Sequence, residues 1–324
     1  AFIDYIQMDY DNAILNYRKI INKYPSHKDL DYVYYMIAMC NYEQLQNEAL
    51  DGYYNDLALN SFNQVIKRFP DSKYTKDIWD EDLASLRIIS WISNADLILN
   101  TNDKDFNKSF YKNTIRQINF IKKNINNLND DNKKISSISL LILSGLVFKE
   151  YFTYYKIGLK ELKKLIDNYF DKNGFPINRN FENLLTFVQY FILIKEWIKS
   201  AQETVPEHLE DIIEKNLICI NSLNSPSKKL PLFNGSTDKS LNNFFNYLDK
   251  LNYSLKKNLK SVGQVQIVKN NKTILYFDSG GPPNYKVSKD YQSGPLSFEY
   301  SSDKDKIITN CGYGRKISKK IQIL

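Results

Sequence analysis

The spacing of apolar residues changes once along this chain, near Val262, and that change constrains the fold more than any other feature. Up to about residue 250, apolar side chains recur three and four apart, the signature of helices with one buried face. Seven such helices are expected after residue 80, at 81–99, 104–128, 134–151, 155–170, 181–202, 206–222 and 238–250. The breaks between them are short clusters of turn formers such as Asn100-Thr101-Asn102-Asp103 and Lys172-Asn173-Gly174. From Val262 the pattern alternates. Residues 264–268 and 273–277 flank the turn Lys269-Asn270-Asn271-Lys272, and residues 296–300 and 306–310 form a second pair around 301–305. A helical body followed by antiparallel hairpins is the fold class this demands.

A second discontinuity lies within the helical part, at residues 68–83, where no Gly/Pro-rich linker marks it. Before it, two segments repeat at an offset of 45 residues. Ala13, Tyr17, Ile20-Ile21 and Tyr24-Pro25 correspond to Ala58, Phe62, Val65-Ile66 and Phe69-Pro70. A small residue and an aromatic four apart share one helix face, and the aromatic-Pro pair stops the helix because proline lacks the N–H donor. This is the grammar of a tetratricopeptide-like helical hairpin, whose usual period is about 34 residues. The excess is expected as an insertion near 47–55, and residues 30–46 as the first helix of the second unit.

Charge divides at the same place. Residues 1–77 hold 8 Lys and Arg against 11 Asp and Glu, a net −3, which leaves 36 against 26, or +10, for the rest of the +7 chain. A basic module suits an anionic partner, and a lysine-rich solvated surface is the plainer account of the same count. The apolar run at 138–148 is broken by Ser139, Ser144 and Gly145, so no transmembrane segment is expected. The start, Ala1-Phe2-Ile3-Asp4, has neither an initiator Met nor a signal-peptide pattern and reads as a processed or partial product. Three scattered cysteines, Cys40, Cys219 and Cys311, and two histidines, His27 and His208, offer no disulfide framework and no metal knuckle. No metal and no cofactor are expected.

The wording of the first quarter, "YPSHKDLDYVYYMIAMCNYEQ" followed by "ALNSFNQVIKRFPDSKYTKD", resembles the D-component lipoprotein family of the bacterial outer-membrane β-barrel assembly machinery. That resemblance implies tetratricopeptide-like repeats over 1–77, protein partners for them, and a periplasmic or outer-membrane-associated location. The phrases "IWDEDLASLRIISWISNADLIL", "NGFPINRNFENLL", "LPLFNGS" and "FDSGGPPNYKVSKDYQSGPLSFEYSSDKDKIITNCGYG" resemble the heparinase II/III family of polysaccharide lyases, in its alphaproteobacterial branch. This second resemblance implies an incomplete α/α toroid over 78–255 and the start of an antiparallel β-sandwich over 256–324. It also implies an acidic polysaccharide as ligand, with no nucleic acid. The chain as a whole then reads as a chimera.

Active members of that family cleave by β-elimination, in which a base takes the proton beside the uronate carboxylate, a polar group neutralises that carboxylate, and an acid protonates the leaving oxygen. Carried onto this chain, Arg179 is suited to pair with the carboxylate and Asn180 to polarise it. Capping of the helix that starts near Phe181 is the competing account of both, Asn being a favoured N-cap. Tyr291 and Tyr285 are candidate phenols among 24 tyrosines. Gln292 stands where the family commonly has His, so it is assigned to substrate binding rather than proton transfer or metal ligation. Impaired catalysis is the expectation. The few strands are expected to leave their outer edges unpaired or paired with another chain, and to pack their apolar face on the helical body, burying Phe298 and Ile308.

Overall fold

The computed structural model describes residues 1–47, 52–72, 74, 80–100, 103–128, 130–255, 257–287, 291, 294 and 296–310. The chain divides into two compact units, Ala1–Asn127 and Leu128–Leu324. It is mainly helical, with one small C-terminal sheet.

The first unit opens with α1 (Phe2–Ile6), α2 (Tyr10–Lys23), α3 (Leu30–Asn47) and α4 (Gly52–Arg68). The repeat read from the sequence is there as two helices with equivalent faces. At the matched positions Ala13 and Ala58 are both buried, Tyr17 is buried where Phe62 is half-buried, and Val65 is buried where Ile20 is half-buried. Both helices end where the aromatic-Pro pairs begin: the Tyr24 N–H donates to the Ile20 carbonyl at 2.8 Å and the Phe69 N–H to Val65 at 2.9 Å. The expected insertion at 47–55 is taken up at least in part by helix, since α3 reaches Asn47 and α4 starts at Gly52. Next come α5 (Glu81–Ser93), α6 (Ala95–Ile98) and α7 (Lys104–Asn124). Aspartates supply the helix starts that sequence reading placed at the breaks. The carboxylate of Asp80 accepts from the N–H of Asp82 and Leu83, and that of Asp103 from Asp105 and Phe106.

In the second unit, α8 (Asp131–Val147) is the central helix, buried without a break from Ile135 to Gly145. Asp130 caps it, its carboxylate accepting from the Asn132 N–H at 3.0 Å. This helix packs against α9 (Phe152–Tyr169) and α10 (Phe181–Ser200), α11 (Glu207–Ser222) packs on α10, and the shorter α12 (Asn242–Lys250) follows. Among the described residues no helix is long and apolar enough to cross a membrane.

The sheet is an antiparallel meander of β1 (Ser261–Val262), β2 (Val265–Lys269), β3 (Thr273–Asp278), β4 (Phe298–Ser302) and β5 (Asp305–Ile308), paired in that order. The two expected hairpins form, and β3 pairs with β4 to join them. One expectation fails. Phe298 and Ile308 are 42% and 43% exposed, whereas Glu299 and Ser301 are buried. Register explains it. Ile274, Tyr276 and Asp278 of β3 face inward, so their β4 partners Ser301 and Glu299 must share that face, and Phe298, opposite Phe277, must point away. The Glu299 carboxylate is half matched: Oε1 accepts from the Asn310 N–H at 3.0 Å and the Thr309 hydroxyl at 3.1 Å, whereas Oε2 has no hydrogen-bond partner among the described residues and lies 3.9 Å from Lys306 Nζ.

Candidate functional site

Three of the lyase-like phrases, far apart in sequence, meet at the N-terminal end of α10. The first supplies the loop at 170–180. Asp171 folds it by accepting from the N–H of Asn173 and Phe175, and Asn216 of α11 donates its amide to the Gly174 carbonyl at 2.6 Å. The loop delivers Arg179 with φ of +60° and Asn180 directly before the helix.

Asn180 acts as a cap. Its Oδ1 accepts from the Asn183 N–H at 3.0 Å, its own N–H donates to Asn178 Oδ1 at 3.1 Å, and only 5% of it is exposed. The second phrase completes the same helix start. Ser236 Oγ accepts from the N–H of Phe181 at 3.0 Å and Glu182 at 3.3 Å, and Asn234 Nδ2 donates to the Arg179 carbonyl at 3.2 Å. At its rim, Glu182 accepts from Thr237 Oγ1 and pairs with Lys239, each at 2.7 Å.

The third phrase meets Arg179, which is only 4% exposed. Its Nε donates to the Gly263 carbonyl at 2.9 Å, its Nη1 to the Gly281 carbonyl at 2.7 Å, and its Nη2 to Asp278. The guanidinium is thus turned inward, onto the sheet. Tyr169, at the end of α9, accepts from Asn178 Nδ2 at 2.9 Å and Asn183 Nδ2 at 2.8 Å, and stacks on Phe187. Burial drives its phenol pKa upward, more than the Asn183 hydrogen bond lowers it. A neutral, amide-rich corner results, one whose donors and acceptors are largely satisfied by each other.

The other candidates fall elsewhere. Tyr285 is 81% exposed, on the turn after β3. Tyr291 is half-buried, and its hydroxyl has no hydrogen-bond partner among the described residues. Gln292 lies outside the described residues. Among the described residues no group of three or more His, Cys, Asp or Glu is placed to hold a metal ion. Sequence reading missed Asp278, Asn234 and Ser236 as the partners of Arg179 and Asn180. The signal for them was their place inside the other two phrases.

Comparison with known proteins divides the chain in two. The family model described as "Outer membrane lipoprotein" (YfiO) matches residues 1–126, and that described as "Heparinase II/III-like, C-terminal" matches residues 254–322. A curated relative, the outer membrane protein assembly factor BamD of Caulobacter vibrioides, is 28% identical over 77 residues, which are 24% of this chain and 25% of that protein. Among solved structures, a heparinase III has a TM-score of 0.67 at 14% identity, over 86% of this chain and 50% of that one. The heparan sulfate lyase HepC from Pedobacter heparinus has a TM-score of 0.64 at 13% identity, over 89% and 50%. At such identities the likeness is one of fold, that of an α/α toroid. The chain spans about half the length of these structures and a quarter of the curated relative.

Proposed function

Because the chain joins a front part similar to the outer-membrane assembly lipoproteins to a back part similar to the heparinase II/III proteins, we propose that its second unit binds an acidic polysaccharide without cleaving it. The observation carrying this reading is the meeting of three lyase-like phrases at one helix start. Residues 128–324 hold 29 Lys and Arg against 20 Asp and Glu, a net +9, which supports an anionic ligand. The use of Arg179 and Asn180 inside the fold supports the absence of turnover. A lyase needs a group that takes a proton and one that returns it, each contributing roughly 10²–10⁴-fold. The groups of this corner are amides, the Ser236 hydroxyl, a carboxylate bound to arginine, the Glu182 carboxylate engaged by Thr237 and Lys239, and a buried phenol. In this proposal tetratricopeptide-like repeats occupy 1–77, the α/α-toroid body 78–255 and the start of the β-sandwich 256–324.

The test is titration of the 324-residue chain with heparan-type and alginate-type polymers at several salt concentrations, followed by ultraviolet absorbance for unsaturated uronate. Weak binding that fades with salt and a flat absorbance trace are expected. No binding at low salt removes the polysaccharide reading. A rising absorbance abolished by Asn180→Ala removes the inactive one.

A second reading, a non-enzymatic scaffold for protein partners, is favoured by the first unit. There a cavity of about 480 Å³ is lined by Ile14, Leu15 and Arg18 of α2 with Asn41 and Gln44 of α3. Helical repeats take segments of other proteins on such surfaces. Pull-down of outer-membrane assembly proteins by the full chain, lost on Arg18→Glu, is the outcome that favours it.

A further inference from the structure

The geometry points to Arg179 as a positioning residue, a clasp that sets the start of α10 only while the sheet is docked on the loop at 171–180. Its three partners lie 84, 102 and 99 residues away along the chain, in Gly263, Gly281 and Asp278. All three belong to one end of the sheet, where Val265 pairs with Asp278. The main chain of Arg179 is held as firmly as its side chain. Its N–H donates to the Pro176 carbonyl at 2.9 Å and its carbonyl accepts from Asn234. A non-glycine residue persists at φ of +60° only where its surroundings over-determine it.

Packing leaves the joint no slack. A Cβ at Gly263, itself at φ of +56°, would lie 2.9 Å from Phe175 Cζ, and one at Gly280 would lie 2.6 Å from Arg179 Nη2. Asp278 is 1% exposed and also accepts from the Gly280 N–H at 3.0 Å. A buried carboxylate and guanidinium matched in this way leave a costly unpaired charge if either is removed. Asn180, the cap of α10, follows Arg179 directly, so displacement of the arginine moves the cap. The loop, the helix start and the sheet end should therefore open and close as one element, apart from the core around α8. This inference does not depend on what the unit binds.

Hydrogen exchange on the full chain tests it, comparing wild type with Arg179→Ala, Arg179→Lys and Gly280→Ala. Gly280→Ala removes no donor and crowds both the guanidinium and the Gln264 side-chain oxygen, so it loosens the clasp even where Arg179→Ala fails to fold. In Gly280→Ala, and in Arg179→Ala if it folds, protection at 171–184 and 261–279 should fall together by about tenfold or more, with 135–145 changing by less than about threefold. Arg179→Lys should keep part of the protection, its single ammonium being unable to reach all three acceptors. Loss confined to one of the two segments, or an equal loss across 135–145, overturns the clasp.

Discussion

At the residue scale, the same polar atoms that sequence reading offered to a substrate are used to end a helix and join a sheet. Asn180 and Ser236 share one task, receiving the first N–H groups of α10, and this leads to a quantitative expectation. Replacing either by Ala should cost about 1 kcal/mol, the usual worth of an N-cap. Because both serve the same helix start, the double variant should cost measurably less or more than the sum, and urea melts in a double-mutant cycle would show it. Strict additivity would mean that the two caps act independently. The cysteines give a second expectation. Burial pushes the thiols of Cys40 and Cys219 up to about 12. Neither should react with a thiol reagent at pH 8 in the folded protein, and both should react in denaturant, as labelling by mass spectrometry would record. Modification of either in the native state would contradict their burial.

Element-scale behaviour depends on how closely helices approach. Where α8 meets α9, Gly145 and Gly158 replace side chains with backbone contact. A Cβ at Gly158 would lie 2.6 Å from Ile142 Cγ1, and one at Gly145 would lie 2.8 Å from the Cα of Tyr155. Alanine gains helix propensity of up to about 1 kcal/mol over glycine, but overpacking costs about 1–3 kcal/mol or more. Gly145→Ala should therefore lower the calorimetric melting temperature more than Gly158→Ala, because it meets main chain where Gly158 meets a side chain that can turn. A stabilised Gly145→Ala would overturn the close-packing account. In the sheet, alternation was legible in the sequence but its sense was not. The strand "LSFEY" looks as though its aromatics face inward, yet its register with β3, which sets Glu299 opposite Tyr276, turns Glu299 inward instead. Tyr276→Phe should accordingly cost about 1–3 kcal/mol, since its hydroxyl donates to the buried Leu223 carbonyl at 2.6 Å. Phe298→Ser on the outer face should cost well under that in the same chemical melt.

Over the whole molecule, compactness and the family match divide the chain at nearly the same place. The compact units part at Asn127/Leu128, close to where the outer membrane lipoprotein match ends at residue 126, and well past the change of wording at 77/78. Paired antiparallel helices serve helical repeats and toroids alike, so a change of family resemblance need not leave a structural gap. One pH dependence follows from the second unit. His208 of α11 is held below its ordinary 6.5 by burial and then by Lys163, against a weaker pull from Asp167. The unfolded chain therefore takes up the proton first as pH falls. This contribution to stability is complete above pH 6.5 and is lost below it. The urea midpoint should fall between pH 7 and pH 5, and His208→Gln should flatten that fall. An equal slope in the variant would assign the dependence to other groups.

The sequence by itself determined the helices, the hairpins and the two family resemblances, because these rest on periodicity, proline stops, aspartate caps and unbroken phrases within about 20 residues of one another. It also held both accounts of Asn180, cap and substrate ligand, without a means to choose between them. Only the tertiary structure chose. Arg179 finds Asp278 and two carbonyls some 84 to 102 residues away, and α10 finds its second cap in Ser236, 55 residues beyond Phe181. Which of a long side chain's many partners wins is set by burial and by the register of a sheet that forms elsewhere, and neither is written in the local spacing of residues.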